Sequence, residues 1–130
     1  MIPASRLFFL AACTTGLAAC AQGPGHSRFQ SRQNALPAME QIALNANRCW
    51  FKSGDRAFQA YRLAPELQSF SGRPRILVVP HDNQAGKPLL VIEATGTPAR
   101  IEAYGALMHG KTGKRIAGNI QHWAQGGKSC

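Results

Sequence analysis

The 130-residue chain is short of acid. Only 6 Asp+Glu stand against 15 Lys+Arg, for a formal net charge of +9, and no carboxylate follows Glu102. The six carboxylates are scattered, so spacing sets up no pair for acid–base chemistry. Charged residues of both signs amount to 16% while 45% of the chain is hydrophobic, which excludes a wholly disordered polyelectrolyte. No apolar run approaches the ~20 residues that a bilayer crossing needs, which argues against a transmembrane anchor. None of the four cysteines lies in a Cys-x-x-Cys arrangement, so a dithiol redox centre is not expected. His26, His81, His109 and His122 show no ligand spacing with the cysteines, so no metal site is expected. A G-x-S-x-G nucleophile elbow is missing, and the aromatic residues form no stacking platform for bases. These absences predict a single small domain that is not an enzyme, with no cofactor, no small-molecule substrate and no nucleic-acid partner.

What is present begins with an export signal. A start bearing one positive charge, Arg6, leads into Leu7-Phe8-Phe9-Leu10-Ala11-Ala12 and then a run of small residues ending in Leu17-Ala18-Ala19-Cys20. That is the pattern of a secretory signal peptide. Its last four residues resemble a bacterial lipobox. The resemblance implies that a signal peptidase reads Leu17, Ala18 and Ala19 and cuts before Cys20. The Cys20 thiolate, the nucleophile the chemistry needs, would then carry a diacylglyceryl thioether and usually a further N-acyl chain such as palmitate. Leu10-Ala11-Ala12-Cys13 fits the same short pattern but would leave only Leu7 to Ala12 as the apolar region, so Cys20 is preferred. Ordinary secretion, with Ala19-Cys20-Ala21 as a small-x-small cleavage site, is the alternative. Similarity to Gram-negative lipoproteins adds that Ala21, standing where inner-membrane proteins often carry Asp, favours the outer membrane, with the domain facing the periplasm. Two or three acyl chains anchor stably without electrostatic help. The basic charge is then not needed for attachment.

The chain divides into 1–19 (signal peptide), 20–35 (lipidated Cys20 and a polar tether) and 36–130 (one domain). As a flexible coil, residues 21–35 would reach about 20 Å. Leu36, Met39, Ile42, Ala43, Ala46 and Trp50 recur at helical spacing and predict a helix over 37–50, with Pro37 in its first turn. Strands are predicted over 57–63, 76–80, 89–94 and 100–104, with 65–75 as loop. A tight reversal at Gly96-Thr97 would set Glu93 opposite Arg100 and Ile92 opposite Ile101, with Leu90, Ile92, Ile101 and Ala103 on one face. Ile116, Ile120 and Trp123 mark a closing helix over 113–125, stopped by Gly126-Gly127. The expected fold is α+β: an antiparallel sheet of three to four strands flanked by an N-terminal and a C-terminal helix.

Signal cleavage removes Cys13 and lipid would occupy Cys20. Cys49 and Cys130 remain, an even pair in an oxidising compartment, and a disulfide between them is the simplest reading. The segment Gly105-Ala106-Leu107-Met108-His109-Gly110-Lys111-Thr112 matches the phosphate-loop pattern G-x-x-x-x-G-K-[ST]. Only 18 residues follow Thr112. They leave no space for the further parallel strands of such folds, and an exported protein meets essentially no ATP. A Gly-rich basic turn before a helix is the preferred reading.

Arg73, Arg75, Lys87, Lys111, Lys114 and Arg115 are the candidate anion-binding residues. The function expected is noncatalytic: a lipid-anchored envelope protein that binds or scaffolds an anionic envelope component or envelope protein. The alternative is a periplasmic inhibitor of a cell-wall hydrolase. Lipid-anchored lysozyme inhibitors are similar in size and in joining a disulfide to a small β fold, but this chain lacks their Ser-Gly-x-x-Tyr loop. A nucleotide-binding enzyme acting through residues 105–112 is the remote third.

Overall fold

The computed structural model describes residues 25–130. In chain order its elements are β1 (His26–Gln30), α1 (Ala35–Ala46), β2 (Tyr61–Glu66), β3 (Arg75–Pro80), β4 (Leu90–Thr95), β5 (Arg100–Tyr104) and α2 (Gly110–Ala124). The strands form one antiparallel sheet in the order β1-β5-β4-β3-β2. The α+β class holds, with five strands rather than three to four. Among the described residues no helix is long and apolar enough to cross a membrane.

The added strand is β1, in what the sequence suggests is tether. Its residues His-Ser-Arg-Phe-Gln carry one large apolar side chain, Phe29, which is buried. A strand at a sheet edge, with one face in solvent, needs little more than that. Its pairing with β5, from His26 opposite Tyr104 to Gln30 opposite Arg100, supplies the rest. The tether reading therefore fails from residue 26 onward, and the domain begins about ten residues earlier than expected.

At the other edge, β2 continues through Pro65 to Glu66, into the predicted loop. Proline lacks an N–H and is tolerated on an edge strand, where no neighbour asks for one. The predicted strand start at residue 57 is instead a 3-10 turn, Arg56–Phe58, capped by the Asp55 carboxylate accepting from the Ala57 N–H at 3.0 Å.

Between β4 and β5 the reversal is longer than a tight turn. It spans residues 96–99 and contains a cis Thr97–Pro98 peptide. Ala99 is fully buried; its N–H donates to Gln33 O and its carbonyl accepts from Ser31 N–H. Those bonds hold Ala99 out of the β4 ladder and shift the register. Glu93 lies opposite Glu102, Ile92 opposite Ala103 and Thr95 opposite Arg100. Because each partner moves by two residues, an even number, Leu90, Ile92, Ile101 and Ala103 still share the buried face.

Both helices cover that same face. The helix expected over 37–50 runs as α1 and then as a π-helical turn, Asn47–Phe51. Met39, Ile42 and Ala46 of α1 are completely buried, whereas Leu36, expected on the same stripe, is 39% exposed at the helix start. The wider π turn buries Cys49 and Trp50 together. Trp50 stacks on Phe58 (centroids 4.9 Å apart, planes within 4°) and meets Trp123 of α2 at 5.2 Å. Ile116, Ile120 and Trp123 form the buried stripe of α2. The helix ends in a Schellman motif: Gly126, at φ +95°, donates its N–H to Trp123 O, and the Gly127 N–H reaches His122 O.

The residues after α2 are clasped against α1. Asn45 Nδ2 donates to Gly127 O, and Arg48 donates to Lys128 O. Trp123 Nε1 donates to Ser129 O at 2.9 Å, and Asn119 Nδ2 to Cys130 O at 3.2 Å. The disulfide Cys49–Cys130 closes this clasp, with its Cα atoms 5.4 Å apart. Across a sequence separation of 81, loop entropy alone corresponds to about 4.5 kcal/mol. Cys49→Ala/Cys130→Ala is accordingly expected to lose about 2–5 kcal/mol of stability in urea unfolding. Reductant should lower the unfolding midpoint of the parent chain and leave that variant unmoved.

Candidate functional site

Since both helices occupy one side of the sheet, the other side is open, and its composition is set by the alternate residues of each strand. One rung crosses all five strands: Arg28, Glu102, Glu93, Arg75 and Glu66 stand in consecutive register on β1, β5, β4, β3 and β2. Arg28 Nε lies 3.2 Å from Glu102 Oε1, and Arg75 Nε bonds Glu66 Oε2. His26 Nε2 is 3.6 Å from Glu102 Oε2. Exposed pairs of this kind contribute about 0–1 kcal/mol each. Their importance is in arranging charge on the face more than in holding the fold.

On the side of the rung toward the β2–β3 and β4–β5 turns lies a concavity of about 660 Å³. Arg28, Arg73, Arg100, Gln30, Thr95, Glu93 and Glu102 line it. The ladder bond from Ala94 N–H to Pro74 O, at 3.1 Å, brings Arg73 beside Thr95. Among the described residues, neither Arg73 nor Arg100 has a carboxylate within ion-pair distance. On the other side of the rung, Tyr104 donates its hydroxyl to Glu93. Burial first, then the negative charges of Glu93 and Glu102 and that hydrogen bond, push the Tyr104 phenol above its usual range, with Arg75 opposing.

The six cations picked from the sequence are not brought together. Arg73 and Arg75 belong to the open face, at the β2–β3 turn. Lys87 lies in the β3–β4 connection, at the opposite end of the same strands. Lys111, Lys114 and Arg115 are on α2, across the sheet. Arg115 is committed to the fold: its Nη2 is 2.7 Å from Asp55 Oδ2 and its guanidinium lies over the Phe58 ring at 5.4 Å. Arg28, hidden in the presumed tether, and Arg100, seen only as the solvated side of a hairpin, are the cations that join Arg73. A period-two reading of His26–Gln30, with Phe29 inward and Arg28 outward, was the available signal. The lipobox residues Leu17, Ala18, Ala19 and Cys20 lie outside the described residues.

The phosphate-loop match has a plain local structure. It follows β5, forms a 3-10 turn at Ala106–Met108 and enters α2 at Gly110. Three of its amides are taken up by backbone: Leu107 N–H donates to Leu89 O, Met108 N–H to Gly105 O and His109 N–H to Ala106 O. Gly105 (φ +126°) lets the Leu89 carbonyl approach, and a Cβ there would lie 2.5 Å from it. At Gly113 a Cβ would fall 2.0 Å from Met108 O. These glycines serve close backbone packing. Among the described residues no group of three or more His, Cys, Asp or Glu is placed to hold a metal ion.

Two outcomes follow. Gly113→Ala should destabilise the fold by about 3 kcal/mol in chemical unfolding, whereas Lys111→Ala, an exposed change, should stay within about 0.5 kcal/mol of the parent. For Tyr104, the folded state holds its proton more tightly than the unfolded chain does. Stability is therefore full below the ordinary tyrosine range and falls as pH rises through and above it. Thermal unfolding from pH 9 to 12 (about the phenol range) should show a decline that Tyr104→Phe makes shallower.

No family model, curated protein or solved structure matches this chain.

Proposed function

We propose that this chain is a noncatalytic, lipid-anchored protein of the bacterial envelope that binds an anionic envelope component through the Arg-lined concavity of its open sheet face. The observation that carries the reading is the pair Arg73 and Arg100, brought to one end of the sheet without carboxylate partners beside Arg28. Guanidinium groups bind carboxylates and phosphates through paired N–H donors, and they remain charged at any pH the protein meets. Lipid on Cys20 and an outer-membrane, periplasm-facing location are parts of the same proposal, supported by Leu17-Ala18-Ala19-Cys20. With β1 starting at His26, only residues 21–25 separate Cys20 from the fold. Fully extended, they reach about 18 Å at most, so the domain works close to the bilayer that holds it.

A second reading, inhibition of a cell-wall hydrolase, is favoured by the β2–β3 turn. Phe70 at its tip is fully exposed. The turn is braced by Ser69 Oγ donating to Arg73 O at 2.7 Å and by Gly72 N–H donating to Ser69 O at 3.0 Å. A braced loop presenting an aromatic side chain suits insertion into an enzyme cleft.

The decisive experiment labels cells with an alkyne fatty acid and cross-links intact envelopes before mass spectrometry. Label on the parent chain and none on Cys20→Ser is expected. Arg73→Glu/Arg100→Glu should remove the main cross-linked species while leaving the label in place. An unlabelled parent chain would overturn the anchor. Cross-links unchanged in the double variant would overturn the basic concavity, and loss on Phe70→Ala alone, with a hydrolase as the partner, would favour inhibition.

A further inference from the structure

We propose that the concavity takes an ampholyte: a ligand with an anionic end and one primary ammonium group about 7 Å apart, as in a short peptide with a free amino terminus and an acidic residue at its other end. This rests on the basic-face reading above and specifies the ligand chemistry of that same site.

The concavity is built from two rows of the sheet. In the row nearer the turns, Arg100 stands opposite Thr95, with Arg73 alongside. Two guanidinium groups and a hydroxyl are available there to an anion. In the next row Glu102 stands directly opposite Glu93. Like charges so placed repel across the ladder. Tyr104 donates its hydroxyl to Glu93 and His26 lies 3.6 Å from Glu102, while the arginines reach the pair from its outer sides. Arg28 sits 3.2 Å from Glu102 but lies on β1, beyond it. Arg75 neighbours Glu93 from β3 and is itself bonded to Glu66 on β2. Both carboxylates line the concavity, one on each of two adjacent strands. An ammonium group there would accept no charge penalty and would satisfy two acceptors at once.

Spacing sets the ligand's length. Two residues along an antiparallel strand cover about 6.8 Å, which separates Arg100 from Glu102 on β5 and Thr95 from Glu93 on β4. The charge pattern also discriminates. A polyanion anchored at Arg73 and Arg100 would bring its next charge onto Glu93 and Glu102, where it is repelled. A purely cationic ligand meets the arginines. Only a molecule with both signs, oriented ammonium toward the rung and anion toward the turns, is matched along its whole length.

The test uses the full chain in mild detergent, with isothermal titration and amide chemical shifts as readouts. The probes are alanyl-glutamate, its N-acetyl derivative and inorganic phosphate. Alanyl-glutamate should shift the amides of Glu93, Thr95, Arg100 and Glu102, and acetylation of its amine should weaken binding by about tenfold. Glu93→Gln should weaken the free-amine peptide by a similar factor and leave phosphate binding equal or stronger. Glu93→Asp should recover part of the loss if the charge is what matters. Acetylated peptide binding as well as the free amine would overturn the ampholyte while leaving the basic-face reading intact. Shifts confined to residues elsewhere would also overturn it. Failure of every probe, phosphate included, would sink both readings.

Discussion

The packing of Trp50 between Phe58 and Trp123 is the contact on which the rest of the architecture depends. Trp50 is in the π turn that ends α1, Phe58 leads into β2, and Trp123 is in the last turns of α2. Indole Nε1 of Trp50 donates to Asn119 Oδ1 at 2.9 Å, so the polar atom of a buried ring is satisfied by the facing helix. Immediately before it, Cys49 binds Cys130. One short segment therefore joins both helices, the sheet entry and the segment after α2. With both helices drawn together on one side, the sheet's other face is left to solvent, and that asymmetry creates the candidate site.

An open face is costly for apolar residues and natural for charged ones. The strands answer this by alternation. Ile76, Val78, Ile92, Ala94, Ile101 and Ala103 point toward the helices, while Arg75, Glu93, Arg100 and Glu102 point away. Across five strands one row of outward residues, Arg28, Glu102, Glu93, Arg75 and Glu66, combines into an ordered array of charge that no single strand contains. The fold's general basic excess is thereby locally structured. Most of the surplus cations stay dispersed over α2 and the loops, and only those at the turn end of the sheet converge.

Much of the fold was legible in the residues themselves. The stripes of α1 and α2, the strands β3, β4 and β5, and the Cys49–Cys130 pairing all follow from periodicity, turn residues and cysteine count. Three features were not. The strand β1 escaped because the alternation of His26–Gln30 rests on the single inward Phe29 and is too short to stand out; its stability comes from the β5 edge it pairs with. Extension of β2 through Pro65 escaped because proline reads as loop unless the strand is known to be at an edge. The β4–β5 register escaped because Ala99, small and unremarkable in sequence, is pinned by backbone bonds to Ser31 and Gln33. All three depend on partners distant in the chain.

The sequence by itself determined the fold class, the disulfide, the glycine stop of α2 and the excess of positive charge, since these rest on local geometry, side-chain chemistry and simple counting. Tertiary structure decided which charges become neighbours. Arg28, Arg73 and Arg100 come from three separate strands or turns, and Glu93 faces Glu102 only in the register set by Ala99. A site made across a sheet is a property of strand order and register. Both are fixed by long-range pairing and burial, to which no local stretch of residues has access.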